Sequence, residues 1–208
     1  MTLPRLVVLT DGSQTGGRKL IDVVAAAVSG GARAVILREK DHPRGERLAM
    51  ASALLDLLRS VDGTLLVASD VTIVADGVHL GAADPFPHRP PVHVGRSCHD
   101  AASLTAAASE GCTYAFLSPV FASVSKPGYG PALGTQALGA TPLATWALGG
   151  VTAANAGSCV AAGAAGVAVM GEIMRAADPA EATAEIVAAL RTAQRGGGEA
   201  TACFEGPG

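Results

Sequence analysis

Eight short runs of apolar, largely β-forming residues recur along the chain, at 6–9, 34–37, 64–68, 77–80, 92–95, 116–121, 144–148 and 166–170. They are mostly continuous, without the apolar–polar alternation of a strand that has one wet face. A continuous run predicts a strand buried on both faces, and so a parallel sheet covered by helices. Ala-rich segments with helical character separate many of the runs, at 18–29, 44–61, 100–110, 153–162 and 179–191, and a shorter helical turn follows the third run. Eight such βα units in 208 residues predict an α/β fold, a compact single-domain (β/α)8 TIM barrel. An open doubly wound sheet is the alternative, but no Gly-x-Gly-x-x-Gly follows the first run. The barrel is assigned to 1–194, and 195–208 to a Gly-rich tail expected to be disordered.

Composition narrows the partners. A hydrophobic content of 49 % supports a large core. No apolar run is long enough to span a bilayer. The net charge of −3, with 3 % aromatic residues, argues against nucleic-acid binding. Met1 leads directly into a strand-like run, without the layout of a signal peptide, so a cytoplasmic location is expected. Cys98, Cys112, Cys159 and Cys203 form no Cys-x-x-Cys pair and read as reduced thiols. The oligomeric state is open at this stage, a homo-oligomer included.

In a barrel of this kind the active site lies at the C-terminal ends of the strands. The residues that follow the runs are therefore the informative ones. Arg38 and Lys40 stand two apart, so they can project to the same side and hold a phosphate or diphosphate. Asp70 and Asp84 follow neighbouring strands and can share one Mg2+ with substrate oxygens. Each also fits a plainer role, as a helix cap or a turn residue. Ser97 and His99 follow the fifth run, and His99 suits either acid–base work or a helix start. Gly149, Gly150 and Gly171 follow the last two runs, where backbone amides often receive a phosphate in this fold. The sixth run ends in "SPVFASVSKPGYGPALG", which puts two hydroxyls and a lysine at a strand end.

Several stretches in order, "VVLTD", "VILREK", "DGVHLGAAD", "GRSCH", "SPVFASVSKPGYGPALG", "ALGGV" and "AGAAGVAVMGEI", resemble the thiamine phosphate synthase family and its relatives, the thiazole tautomerases. The resemblance spans about residues 6–189. It implies a barrel enzyme, a transferase, that joins a pyrimidine diphosphate to a thiazole phosphate with Mg2+ as cofactor. By position, Arg38, Lys40, Ser97 and Lys126 would take the diphosphate. Asp70 and Asp84 would take the metal, and Ser123, Val124 and Ser125 would meet the thiazole phosphate. Gly149, Gly150, Met170 and Gly171 would add backbone contacts to that phosphate. Ile36, Leu37, Glu39 and Ser69 would border the pyrimidine site.

The chain departs from the family pattern at Ile36, where Gln is usual, and at Ser69, where Asn is usual. Ala122, Ser123 and Ser125 replace Pro, Thr and Thr, and Gly171 replaces Ser. The tautomerase alternative would rely on His99 for proton transfer, without metal. A non-catalytic binder of thiamine precursors is the third reading. If Lys126 receives the departing diphosphate, Lys126→Ala sharply lowers turnover. Activity within about twofold of wild type would remove Lys126 from that role.

Overall fold

The computed structural model describes residues 3–122 and 131–199, with backbone only for 196–199. Eight parallel strands close into a barrel in sequence order. They are β1 (Leu6–Leu9), β2 (Ala34–Leu37), β3 (Thr64–Ala68), β4 (Gly77–Leu80), β5 (His93–Cys98), β6 (Tyr114–Leu117), β7 (Thr145–Leu148) and β8 (Gly166–Val169). Closure comes from β1, whose Val8 pairs with Val35 of β2 while its Val7 pairs with Ala168 of β8.

The period-two geometry of a strand sends alternate residues to opposite faces. Leu9, Ile36, Leu66, Ala68, Tyr114, Phe116, Trp146 and Ala168 turn inward and fill the barrel. Val8, Val35, Leu37, Val67, Leu117 and Ala147 turn outward into a second core beneath the helices. Both faces are buried, which is why the strands read as unbroken apolar runs.

The outer layer holds α1 (Leu20–Ser29), α2 (Arg44–Arg59), α3 (Ala101–Glu110), α4 (Ala153–Ala161), the four-residue α5 (Gly171–Met174) and α6 (Pro179–Glu199). In α1, Val23, Val24, Ala27 and Val28 are buried, the i, i+1, i+4, i+5 stripe of a helix lying on a sheet. The start of α3 is fixed by a reciprocal cap between Asp100 and Ser103, and its end by Gly111 in the left-handed region, φ 96°. Thr152 and Asn155 cap α4 in the same reciprocal way.

The layer is uneven around β4. No helix joins β3 to β4 or β4 to β5, so the expected helical turn after β3 does not form. Arg96 on β5 does that work instead. Its Nη1 donates to the carbonyls of Gly81, Ala82 and Asp84 at 2.9, 3.2 and 2.9 Å. Its Nη2 pairs with Glu110 Oε2 on α3 at 2.7 Å. A buried guanidinium thus anchors the loop that carries Asp84.

Three boundaries differ most from the sequence expectation. β5 runs through Arg96 and Ser97 to Cys98, because Ser97 keeps its ladder partner, Phe116. β6 stops at Leu117, although Val120 and Phe121 still donate to Leu148 and Gly149 beside β7, at 2.9 and 3.0 Å. α6 continues to Glu199, into the stretch assigned to a tail, even though glycine disfavours a helix by roughly 1 kcal/mol per residue. Residues 200–208 lie outside the described residues, and Cys203 with them. Cys98, Cys112 and Cys159 are buried thiols. Among the described residues no helix is long and apolar enough to cross a membrane.

The barrel interior depends on one close approach. A Cβ on Gly95 would lie 2.0 Å from Cζ of Tyr114, whose ring crosses β5 inside the barrel. We predict that Gly95→Ala destabilises the protein by about 1–3 kcal/mol, the cost of overpacking a closed core. Urea unfolding with an unchanged midpoint would show that the Tyr114 ring can move aside.

Candidate active site

The C-terminal ends of the strands gather the polar residues at one mouth of the barrel. At β1, buried Thr10 accepts from the Arg38 amide through Oγ1 at 2.9 Å, which fastens β2 to its neighbour. Asp11 then caps the short 3-10 turn Gly12–Gln14 through Ser13. Its Oδ2 accepts from Gln14 Nε2 at 2.6 Å and lies 3.7 Å from Arg38 Nη1. Burial works to raise the Asp11 pKa, but the Ser13 and Gln14 bonds and the Arg38 charge outweigh it and hold it low.

Arg38 stands half exposed between the ends of β1 and β8, with Nη1 also 4.0 Å from Met170 Sδ. Lys40 is exposed, and its charge acts on both Asp84 and His79. The residues next to the two cations have other work. Leu37 turns outward into the helix-facing core. Buried Glu39 accepts the Gly12 amide on both carboxylate oxygens, at 3.2 and 3.0 Å, and so braces the loop after β1. Ile36, 1 % exposed, packs inside the barrel beside Leu9 and Leu66. Leu37 therefore turns away from the mouth, and the Glu39 carboxylate is engaged by the loop after β1.

Beyond β3, Ser69 adopts φ 60°, the left-handed region where Asn is tolerated better than Ser. Its hydroxyl donates to Asp84 Oδ2 in a very short bond, which offsets that strain. The Gly81 amide donates to the same oxygen at 2.7 Å. Burial pushes the Asp84 pKa up, but the Ser69 and Gly81 bonds, with Lys40 and Arg96, bring it below the ordinary value. Asp70 accepts from the Thr72 amide and hydroxyl at 3.0 and 2.6 Å and forms a very short ion pair with Arg47 on α2. Burial opposes these contacts too, and again the pKa is held low.

Two ionised carboxylates on adjacent loops, linked through Ser69, offer only hard oxygen donors, which suits Mg2+ shared with phosphate oxygens and water. Among the described residues no group of three or more His, Cys, Asp or Glu could hold a metal by itself. Both bonds described for Asp84 fall on Oδ2.

Between β4 and β6, His79 bridges Tyr114 Oη at 3.1 Å and Ser97 Oγ at 3.0 Å, with its ring centroid 4.2 Å from that of Phe116. Burial drives its pKa down to about 3, helped by the Lys40 and Arg96 charges, so the ring is neutral. His99 lies at the start of α3. Its Nδ1 donates to the Ser118 carbonyl at 2.7 Å, and its amide donates to Ser103 Oγ at 3.0 Å.

At β7, Gly149 and Gly150 have φ of 94° and 62°, and a Cβ on Gly150 would lie 2.3 Å from the Ala122 carbonyl oxygen. The Gly150 carbonyl accepts from Asn155 Nδ2 at 2.9 Å. Gly171 opens α5, and a Cβ there would meet the Arg175 guanidinium. Ser123, Val124, Ser125 and Lys126 lie outside the described residues.

The strand-end residues singled out from the sequence include neither His79 nor Arg96, although His79 is a polar side chain inside an apolar run and Arg96 directly follows one. The structure brings Arg38, Lys40, Asp70, Asp84, Ser97, His99, Gly149, Gly150, Met170 and Gly171 to one end of the barrel.

The fold and this mouth define a (β/α)8-barrel protein whose rim carries separate cationic and carboxylate groups. Comparison with known proteins sharpens that class. Residues 6–173 match the family of thiamine monophosphate synthase. A thiamine-phosphate synthase of Roseiflexus castenholzii is 40 % identical over 190 residues, covering 85 % of this chain and 83 % of that one. Another, from Methanoculleus marisnigri, is 37 % identical over 188 residues, 83 % of this chain and 89 % of its own. The solved thiamine phosphate pyrophosphorylase from Pyrococcus furiosus superposes with a TM-score of 0.81 at 26 % identity, over 91 % of this chain and 96 % of that one. The chain belongs to the thiamine monophosphate synthase family.

Asp84→Asn keeps the shape of the side chain but removes its charge. We predict weaker Mg2+ dependence of catalysis, with the metal titration shifted by about tenfold or more to higher concentration. An unchanged titration would take Asp84 out of the metal site.

Proposed function

We propose that the chain is a thiamine phosphate synthase, which condenses hydroxymethylpyrimidine diphosphate with hydroxyethylthiazole phosphate to give thiamine phosphate and pyrophosphate. The observation that carries the reading is the mouth itself. Arg38 and Lys40 stand at the end of β2, Ser97 at the end of β5, and the ionised Asp70 and Asp84 on the loops between. Membership of the family supplies the reaction.

The reaction needs no side-chain nucleophile. The carbon–oxygen bond to the diphosphate breaks, and its electron pair leaves with the diphosphate. The aminopyrimidine stabilises the methylene cation left behind, and the thiazole nitrogen's lone pair then forms the new carbon–nitrogen bond. The protein's contribution is to hold the departing charge in place, as in other electrostatic catalysis. Arg38 and Lys40 supply donors and positive charge, and Ser97 adds a hydroxyl. Lys126 takes the same leaving group in this reading, while Ser123, Val124 and Ser125 line the thiazole phosphate together with Gly149, Gly150, Met170 and Gly171. Asp70 and Asp84 would hold Mg2+, which supplies further neutralisation of the diphosphate when bound.

Ile36 replaces the usual amide with an apolar side chain that already belongs to the barrel's packing. Recognition of the pyrimidine therefore rests on other groups, the backbone around Arg38 and Ser69 among them. The partners are small molecules, and the cytoplasm is the expected location.

The test is a product assay. Purified protein, both substrates and Mg2+ are incubated and thiamine phosphate is measured by mass, with a chelator control. Metal-dependent product is the expected result. No product would overturn the reading and direct mutagenesis to His99, the proton-transfer residue of the tautomerase alternative.

A further inference from the structure

Two buried side chains reach Ser97 from inside the barrel, and neither has a part in the reaction as described. Tyr114 is 2 % exposed and His79 6 %. The His79 ring lies between Tyr114 and Ser97, with Nδ1 at 3.1 Å from Tyr114 Oη and Nε2 at 3.0 Å from Ser97 Oγ. The three groups form a line that starts in the core and ends at the rim.

Counting protons gives that line a direction. A buried hydroxyl has to place its hydrogen on an acceptor, or the fold bears the cost of an unmade bond. Among the described residues, His79 Nδ1 is the one hydrogen-bond partner of Tyr114 Oη. The phenol stays protonated, because burial raises its pKa well above the ordinary value. Tyr114 therefore donates to Nδ1. A neutral imidazole carries a single proton, which is then on Nε2. Nε2–H donates to Ser97 Oγ, and this bond uses a lone pair of the serine, not its hydrogen. The Ser97 hydroxyl hydrogen is left to point away from His79, into the mouth.

The opposite sense would have a different consequence. Ser97 would donate into the imidazole and present only lone pairs to whatever enters the site. A diphosphate is acceptor-only where it is ionised, so lone pairs facing it repel.

We propose that Tyr114 and His79 are positioning residues that turn the Ser97 hydroxyl into a donor for the diphosphate. The proposal rests on the reading of Ser97 as a diphosphate ligand. Gly95 is part of the same device, since a side chain there would displace the Tyr114 ring. His79 moves no proton in this role. It relays the direction of a hydrogen bond, and a chain of such bonds strengthens its last donor.

The experiment uses the full-length chain and inorganic pyrophosphate with Mg2+ as the probe. Nitrogen NMR of histidine-labelled wild-type protein reads the tautomer of His79 directly and needs no variant. The expected result is the Nε2–H form; the Nδ1–H form overturns the relay. Calorimetric titration then compares wild type, Tyr114→Phe, Ser97→Ala and the double variant, each checked for an intact thermal transition. Tyr114→Phe alone weakens pyrophosphate binding by about tenfold, the scale of one hydrogen bond to a charged group. In the Ser97→Ala background the same change has no further effect. Equal losses in both backgrounds overturn the proposal, since Tyr114 would then act other than through Ser97. Unchanged binding by Ser97→Ala alone overturns the ligand role of Ser97, whereas the tautomer measurement tests the relay separately.

Discussion

An eight-stranded barrel encloses a space that only its own side chains can fill, and the way this chain fills it governs much of what stands at the mouth. Two of the large inward rings sit opposite a glycine on a neighbouring strand. Tyr114 on β6 pairs in register with Gly95 on β5, and Trp146 on β7 with Gly166 on β8. A Cβ at either glycine would overlap the ring beside it, at 2.0 Å from Tyr114 and 2.5 Å from Trp146. The absent side chain on one strand thus makes room for the aromatic on the next. Trp146 meets the polar requirement of a buried indole by donating to the Pro4 carbonyl at 3.0 Å. Tyr114 meets its own through His79. The packing and the polar accounting are solved by the same residues.

That solution carries a polar thread through an apolar interior. His79 would be an expensive group to bury if it had to be charged, and burial keeps it neutral. It touches Phe116 on one side and two hydroxyls at its nitrogens, so both polar atoms are satisfied without water. The carboxylates behave oppositely. Asp11, Asp70 and Asp84 all lie at the mouth, and each is held below its ordinary pKa by hydrogen bonds and neighbouring cations that outweigh partial burial. Because their folded-state pKa values are depressed, their contribution to stability is present above the usual carboxylate range and is lost as the pH falls through the depressed values. The interior histidine and these rim carboxylates therefore keep fixed charge states across neutral pH.

Much of this was legible in the chain itself. The bounds of β1 to β4 follow directly from the apolar runs, because strands buried on both faces leave little that is polar inside them. The strand-end position of Arg38, Asp70, Asp84 and Ser97 follows from the fold class. What the linear order did not separate was the face on which each residue stands. Ile36, Leu37, Arg38 and Glu39 are consecutive, but the strand's period sends Leu37 to the outer core, and Glu39 turns to the Gly12 amide. Loop contacts were also out of reach. Asp70 lies beside Arg47, 23 residues earlier, and Arg96 binds carbonyls 12 to 15 residues away. No short motif encodes such partners; they come from closure of the barrel.

The departures from the family pattern make better physical sense against these contacts than they do as isolated substitutions. At Ser69 the backbone is left-handed, a conformation that favours Asn, and the smaller Ser is retained with its hydroxyl on Asp84. The amide is gone, but the link between the two carboxylate-bearing loops remains. At Gly171 the missing side chain would have met the Arg175 guanidinium, which also bonds Gln14, and Gln14 in turn bonds Asp11 beside Arg38. A cation and an amide thus occupy the neighbourhood a serine hydroxyl would have entered, and they connect the end of β8 to the end of β2. Ile36 has no such compensation: it packs on Leu9 and Leu66 and presents no polar atom. In the proposed reading, Ile36 is the altered position where a hydrogen bond to the pyrimidine would be exchanged for apolar packing. A site that gives up such a bond gives up discrimination against analogues lacking the matching group. In that reading the pyrimidine end of the site is where specificity would depart most from the family pattern.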